Sequence, residues 1–231
     1  MRLIGIPVLL LFTIPALGQQ QKPSRGVNFY SLEKEASLGR VLADDYRRRV
    51  PSVDDVDLRA YVSKVAARLN EFAQNPFPLT IEISGGTEFE TVGLSGGYLF
   101  VPLRLLASAP DESELARPVA HAIAHIATRQ ATRQATRGQL ANLAAVPLIF
   151  IGGWEHGHVD ASTMVSLGFR KFQEEHETEA VRLSAEWTKL SGFADGTFET
   201  GEFVTTRERA RALVLSAPKN AEPPSLRKRR P

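Results

Sequence analysis

Apolar residues recur along this chain with no period at first, then helically, then with a period of two, then helically again. Leu3 to Leu17 is almost wholly apolar, interrupted by Pro7 and Pro15. From Ser31 to Val50 the spacing is helical. Leu38, Leu42 and Tyr46 fall on one face, Ser31 is placed to cap, Glu33 and Glu35 favour the N-terminal end, and Pro51 follows the last turn. A second helix is predicted from about Asp55 to Ala73, where Leu58, Tyr61, Val62, Val65, Leu69 and Phe72 make a continuous stripe. Both helices read as structural.

The period then changes. Leu79, Ile81 and Ile83 alternate with Thr80, Glu82 and Ser84, the pattern of a half-buried strand, and Gly85-Gly86 turns it. A second extended segment, Phe89 to Leu94, reaches Ser95-Gly96-Gly97, and Tyr98 to Val101 leaves as a third strand. Glycine pairs between extended segments allow tight turns and close backbone approach, and an ordinary hairpin is the plain reading.

Helical spacing returns at Asp111-Glu112-Ser113-Glu114, which resembles a capping box. The helix it opens is predicted to run through His121 and His125 to a stop at Gly138, with Pro118 inside it as a source of a kink. Near its end the repeat ATRQATRQATR stacks Arg129, Arg133 and Arg137 on one stripe, read as a solvated face. Leu140 to Ile151 is apolar, too short to span a bilayer, and reads as a core segment; His156 and His158 follow on a Gly-rich loop as stray metal-ligand candidates. Met164 to Leu190 reads as a long helix carrying Glu174, Glu175, His176, Glu177 and Glu179.

Composition narrows the setting. Arg2 with the apolar run behind it, closed by Ala16-Leu17-Gly18, reads as a signal peptide over residues 1–18, so the chain is expected to be exported, to a periplasm or outside the cell. Residues 19–30 read as a linker, 31–217 as one domain with a real core, and 218–231, proline-rich and basic, as a disordered tail. Lys and Arg number 28 against 26 acidic residues, and Arg2 lies in the leader, so the domain is nearly neutral and nothing points to nucleic acid. The basic tail leaves a peripheral contact with anionic lipid open, with solvation the default. The absence of cysteine excludes disulfides, a thiol nucleophile and a Cys-type zinc site.

The candidate chemistry sits at His121-Ala122-Ile123-Ala124-His125. Two histidines four residues apart lie one above the other on a helix face, the spacing at which two imidazoles share one metal ion. By itself the pair reads equally well as two helix histidines that cap, pack or face solvent. In a zinc hydrolase of this geometry the residue after the first His is a Glu serving as general base; here it is Ala122.

Taken together, these segments resemble the HtpX-like zinc metallopeptidases, the gluzincin family that includes the CAAX prenyl endopeptidases and exported quality-control proteases. The likeness covers most of the mature chain. It opens at Asn28 to Glu35 with Gly39 and runs through Leu94 to Val101. It then takes in Glu112 to His125, similar to the family's H-E-x-x-H helix, and closes at Glu177-Thr178-Glu179-Ala180-Val181, similar to its E-x-E-A-D. The resemblance implies an α+β fold, a helix-rich zincin-like domain with a small β-sheet beside the His-x-x-x-His helix. It implies one Zn2+ held by His121, His125 and Glu177, and a polypeptide substrate or client.

The departures carry as much weight. The general-base position is Ala122, and the Asp that supports a ligand histidine in the family is replaced by Val181. A family Thr-His-Pro-like stretch followed by Arg falls on Ser216-Ala217-Pro218, with Arg227 in the arginine's place. General acid–base catalysis is typically worth ~10²–10⁴-fold, and an outer-shell partner ~10–100-fold in metal affinity. A weakly metallated, catalytically impaired protease homologue that binds polypeptide or a partner is therefore expected. An active metalloendopeptidase using Glu90, Glu155 or Glu174 as a substitute base is the alternative, and a metal-free scaffold or inhibitor the second.

Overall fold

The computed structural model describes residues 27–87, 89–139, 161–194 and 200–216, with side chains in the long helix from 174 onward. The leader, the 140–151 segment, Glu155, His156, His158, Ala217 and the basic tail with Arg227 lie outside the described residues. Among those described, no helix is long and apolar enough to cross a membrane.

Helix α1 is Leu32–Arg49 and starts where the sequence places it, with Ser31 Oγ accepting from the Lys34 N–H at 3.2 Å. Its buried face is Glu35, Gly39 and Ala43, not the predicted Leu38–Leu42–Tyr46 stripe; Leu42 is 36% exposed. The reason is what α1 packs on. A Cβ on Gly39 would stand 1.9 Å from the Ser95 carbonyl oxygen, so the helix rests directly on a backbone turn that only small residues fit. Of the predicted stripe, Tyr46 is half-buried, its ring 4.3 Å from that of Phe100.

Helix α2, Val56–Asn70, meets its prediction closely. Asp55 caps the Asp57 and Leu58 N–H groups at 3.1 and 3.0 Å, and Leu58, Tyr61, Val62, Val65 and Leu69 are all buried. These form the centre of the core with Ile83, Leu99, Leu106, Leu115, Ile123, Leu183 and Phe203.

The sheet has four strands: β1 (Ser52–Val53), β2 (Thr80–Ser84), β3 (Val92–Leu94) and β4 (Tyr98–Pro102), in the order β1-β2-β4-β3. β2 and β4 run parallel, Thr80 opposite Tyr98 and Ser84 opposite Pro102. A hairpin at Gly85-Gly86 is therefore ruled out, because β4 inserts beside β2. The tight turn falls between β3 and β4, where Gly96 and Gly97 take φ of 77° and 95°, a region closed to most side chains. β3 is left as an edge.

Helix α3 (Leu103–Ser108) follows β4 directly, and α4 is Glu112–Ala127, capped by Asp111 Oδ1 accepting from the Glu114 N–H at 2.9 Å. α4 carries Pro118 inside it, but it does not run on to Gly138. It ends at Ala127; Arg129 takes φ of 56°, and a new helix, α5, begins at 130 and is described to 139. The predicted arginine stripe is broken up with it. Arg133 is 6% exposed and pairs with Glu179 at 3.6 Å, Arg129 pairs with Glu35 at 2.7 Å, and Arg137 alone of the three is exposed.

Helix α6, Ala161–Leu190, lies along α4 through Ala180, Leu183 and Trp187, and stops at Gly192 with φ of 75°. Helix α7, Gly201–Ser216, closes the core with Phe203 against α2 and α3. The fold is helix-rich α+β with a small mixed sheet beside the His-x-x-x-His helix. Within the predicted linker, residues 28–30 are attached to α5: Asn28 Nδ2 donates to Thr132 Oγ1 at 2.8 Å, and the Phe29 N–H to Thr136 Oγ1 at 3.0 Å.

Candidate metal centre

The buried side of α4, Leu115, Val119, Ile123 and Ile126, packs into the core and turns the opposite side, with His121 and His125, toward α6. Four residues on a helix bring side chains into register, and the two rings meet edge-on at 85° with Nε2 atoms 2.9 Å apart. α6 supplies Glu177, whose Oε1 lies 2.9 Å from His121 Nε2 and Oε2 3.7 Å from His125 Nε2. The sequence motif and a carboxylate more than fifty positions later thus converge on one point, all three donor atoms within 4.8 Å of one another.

These residues fit a divalent metal. Zn–N and Zn–O bonds near 2.1 Å in a tetrahedron place neighbouring ligand atoms roughly 3.3 Å apart, and the three separations here bracket that value. The donor types, two imidazoles and a carboxylate, suit zinc and several other transition metals. Glu177 has a side chain 58% exposed while the histidine side chains are about half that, so the donor set is open toward solvent on the α6 side.

His125 is the better anchored of the two histidines. Burial pushes its imidazole below the usual pKa, against the opposing pull of the Gln130 side chain. Its Nδ1 bonds to Gln130 Oε1, and Gln130 Nε2 donates in turn to the His176 carbonyl at 2.6 Å. His176 itself points inward at 7% exposure; burial, then the Arg133 guanidinium, push it down to about 4.

Ala122 is 2% exposed and lies under β3: a Cβ on Gly93 would stand 2.5 Å from the Ala122 carbonyl oxygen. Val181 is 54% exposed and lies one helical turn after Glu177 on α6. Of the described candidates for a substitute base, Glu90 and Glu174 are exposed. Among the described residues, Glu177 is the carboxylate that pairs with either histidine.

Beside the donors opens a cavity of about 240 Å³, walled by Gly93 and Leu94 of β3, by His125 of α4, and by Arg129, Gln130 and Glu177. Ser95 lies on the same wall, 5% exposed, its hydroxyl without a hydrogen-bond partner among the described residues.

The structure brings together the three residues that the sequence reading singled out, His121, His125 and Glu177; the reading did not single out Gln130, Arg129 and Glu35 as residues that support the site. For Gln130 the signal was present as the glutamine of the ATRQ repeat. It is informative only once the helix is known to break inside that repeat.

No protein-family model and no curated protein matches this chain.

Proposed function

We propose that the chain is an exported, HtpX-like zinc-metallopeptidase homologue that binds one zinc ion through His121, His125 and Glu177. In the cleft beside that site it receives an extended polypeptide, or a segment of a partner protein, without hydrolysing it. The observation that carries the reading is the convergence of the three donors from α4 and α6 with a methyl group, Ala122, where a proton acceptor is needed.

Zn2+ at such a site supplies Lewis-acid polarisation of a carbonyl and acidifies a water ligand. The chain's own residues do the rest. His121 and His125 offer Nε2, Glu177 offers a carboxylate oxygen, and β3 with Ser95 walls the cleft along a sheet edge that is unpaired among the described residues. An extended backbone laid there finds strand groups that accept pairing. Hydrolysis also needs a group to take a proton and deliver it to the leaving nitrogen. Glu177 is committed as a donor, and Ala122 offers neither a lone pair nor a proton.

The test is zinc content of the purified protein by elemental analysis, alongside casein and peptide cleavage. Near one zinc per chain, lost in His125→Ala and in Glu177→Ala, with no cleavage above background, is the expected result. Cleavage by the wild type that His121→Ala abolishes would assign an active peptidase instead. A chain that binds no zinc and folds unchanged under chelator would sink the metal-dependent reading.

A further inference from the structure

We infer that Gln130 is the positioning residue of the His125 donor, fixing its tautomer and tying it to the helix that carries Glu177. On an uninterrupted helix, a residue five places after His125 lies about 140° around the axis and about 7.5 Å along it, out of reach of the ring. The break after Ala127 removes that obstacle. Arg129 takes φ of 56°, the backbone turns, and Gln130 Oε1 arrives at His125 Nδ1. Arg129 is clamped in that conformation from outside the helix. Its Nε donates to Glu35 Oε2 at 2.7 Å and its Nη2 to the Tyr30 carbonyl at 2.6 Å. Glu35 is 1% exposed, so the clamp reaches the junction from the buried face of α1.

The direction of the Gln130 amide is set from the other side. Nε2 donates to the His176 carbonyl at 2.6 Å, which leaves Oε1 for the imidazole, and an amide oxygen only accepts. Nδ1 of His125 therefore carries the hydrogen, and Nε2 keeps its lone pair on the side of His121 and Glu177. A metal takes a neutral imidazole through that lone pair, and the hydrogen bond at the other nitrogen decides which nitrogen is bare. His176 immediately precedes Glu177. One buried amide thus sets the ring of one donor and the backbone position of another. The outer-shell role that the sequence lacks at Val181 is taken over by a different residue on a different helix.

The metal-affinity part of this inference rests on the proposal that the three donors hold zinc; the tautomer part does not. Both are read on wild type, Gln130→Met and Gln130→Glu. Long-range 1H–15N spectra of the metal-free protein with labelled histidine report the His125 tautomer, and competition with a chelating dye reports zinc affinity. Wild type is expected to show the hydrogen on Nδ1. Gln130→Met is expected to shift the population toward the Nε2–H form and to weaken zinc binding ~10–100-fold. Gln130→Glu, which keeps an acceptor facing Nδ1, is expected to restore the wild-type tautomer, a rescue that a merely space-filling role does not give. A wild type with the hydrogen on Nε2 overturns the inference without any variant. So does a Gln130→Met protein with unchanged tautomer and unchanged affinity, and in that case zinc binding by the wild type leaves the functional proposal standing. If the wild type binds no zinc yet the tautomer follows residue 130, the functional proposal falls and the positioning role is supported.

Discussion

Gly93 of the edge strand and Ala122 of the central helix touch through their backbones: a Cβ at 93 would stand 2.5 Å from the Ala122 carbonyl oxygen and 3.2 Å from Ile126 Cγ1. β3 is seated on α4 at the residue that replaces the expected general base. Gly93→Ala must push the strand off the helix or distort both, and overpacking of this kind costs about 1–3 kcal/mol. Urea unfolding should register that loss with an unchanged slope. An alanine variant as stable as wild type would mean that β3 does not hold this seat.

The positive φ of Arg129 gives a comparison between two substitutions. Both Arg129→Ala and Arg129→Gly lose the pair with Glu35, but only the alanine keeps a Cβ in a left-handed backbone. Gly should therefore be the more stable of the two by about 1 kcal/mol. Equal stabilities would show that the junction relaxes once its clamp is gone.

Asp55 links the N-terminus of α2 to α7, capping two N–H groups while Arg209 Nε donates to its Oδ2 at 2.6 Å. Burial raises its pKa, but the Leu58 N–H and then Arg209 outweigh this and hold it below the ordinary 3.8. A carboxyl depressed in the folded state adds stability that is present above its unfolded value and lost as pH falls through the folded one. Asp55→Asn keeps a capping oxygen and does not titrate. Wild type should exceed Asp55→Asn in stability at pH 6, and the gap should close as pH is lowered below about 4. A gap independent of pH would remove Asp55 from the acid response.

Val181→Asp, which restores the family residue, should leave zinc affinity within about twofold of wild type, since an outer-shell effect needs a hydrogen bond to a ligand and a carboxylate at this position, 54% exposed one turn after Glu177, is expected to be solvated instead. Dye competition on the single variant decides it. A gain of tenfold or more would place position 181 within reach of the donors.

How far the chain could be read in advance varies from element to element. The stripe of α2 was legible because its face is decided by its own large apolar residues. α1 was not, because its partner is a glycine turn some fifty residues away that admits Gly39 and Ala43 and leaves Leu42 outside. The ATRQ repeat contains no helix breaker, so it reads as one continuous helix. Its break is imposed by Glu35, 94 positions before Arg129. α7 gave no stripe to read, with Phe203 fully buried and Leu215 84% exposed on the same helix. Two of the donors were marked by their spacing. Glu177, lying in an acidic run, was named through the family resemblance, and the chain's own folding brings it to the histidines.

The packing of α4 also separates the metal from the stability of the chain. Its hold on the core runs through Leu115, Val119, Ile123 and Ile126, all at most 3% exposed, while Glu177 completes the donor set from an exposed face. On the proposed zinc reading, folding is expected not to wait on the ion, unlike small zinc modules that are unfolded without it. Metal should raise the melting temperature only by the mass-action increment set by its free concentration relative to Kd. Under that proposal, occupancy would be a reversible signal carried by an already folded protein, rather than a condition of its existence.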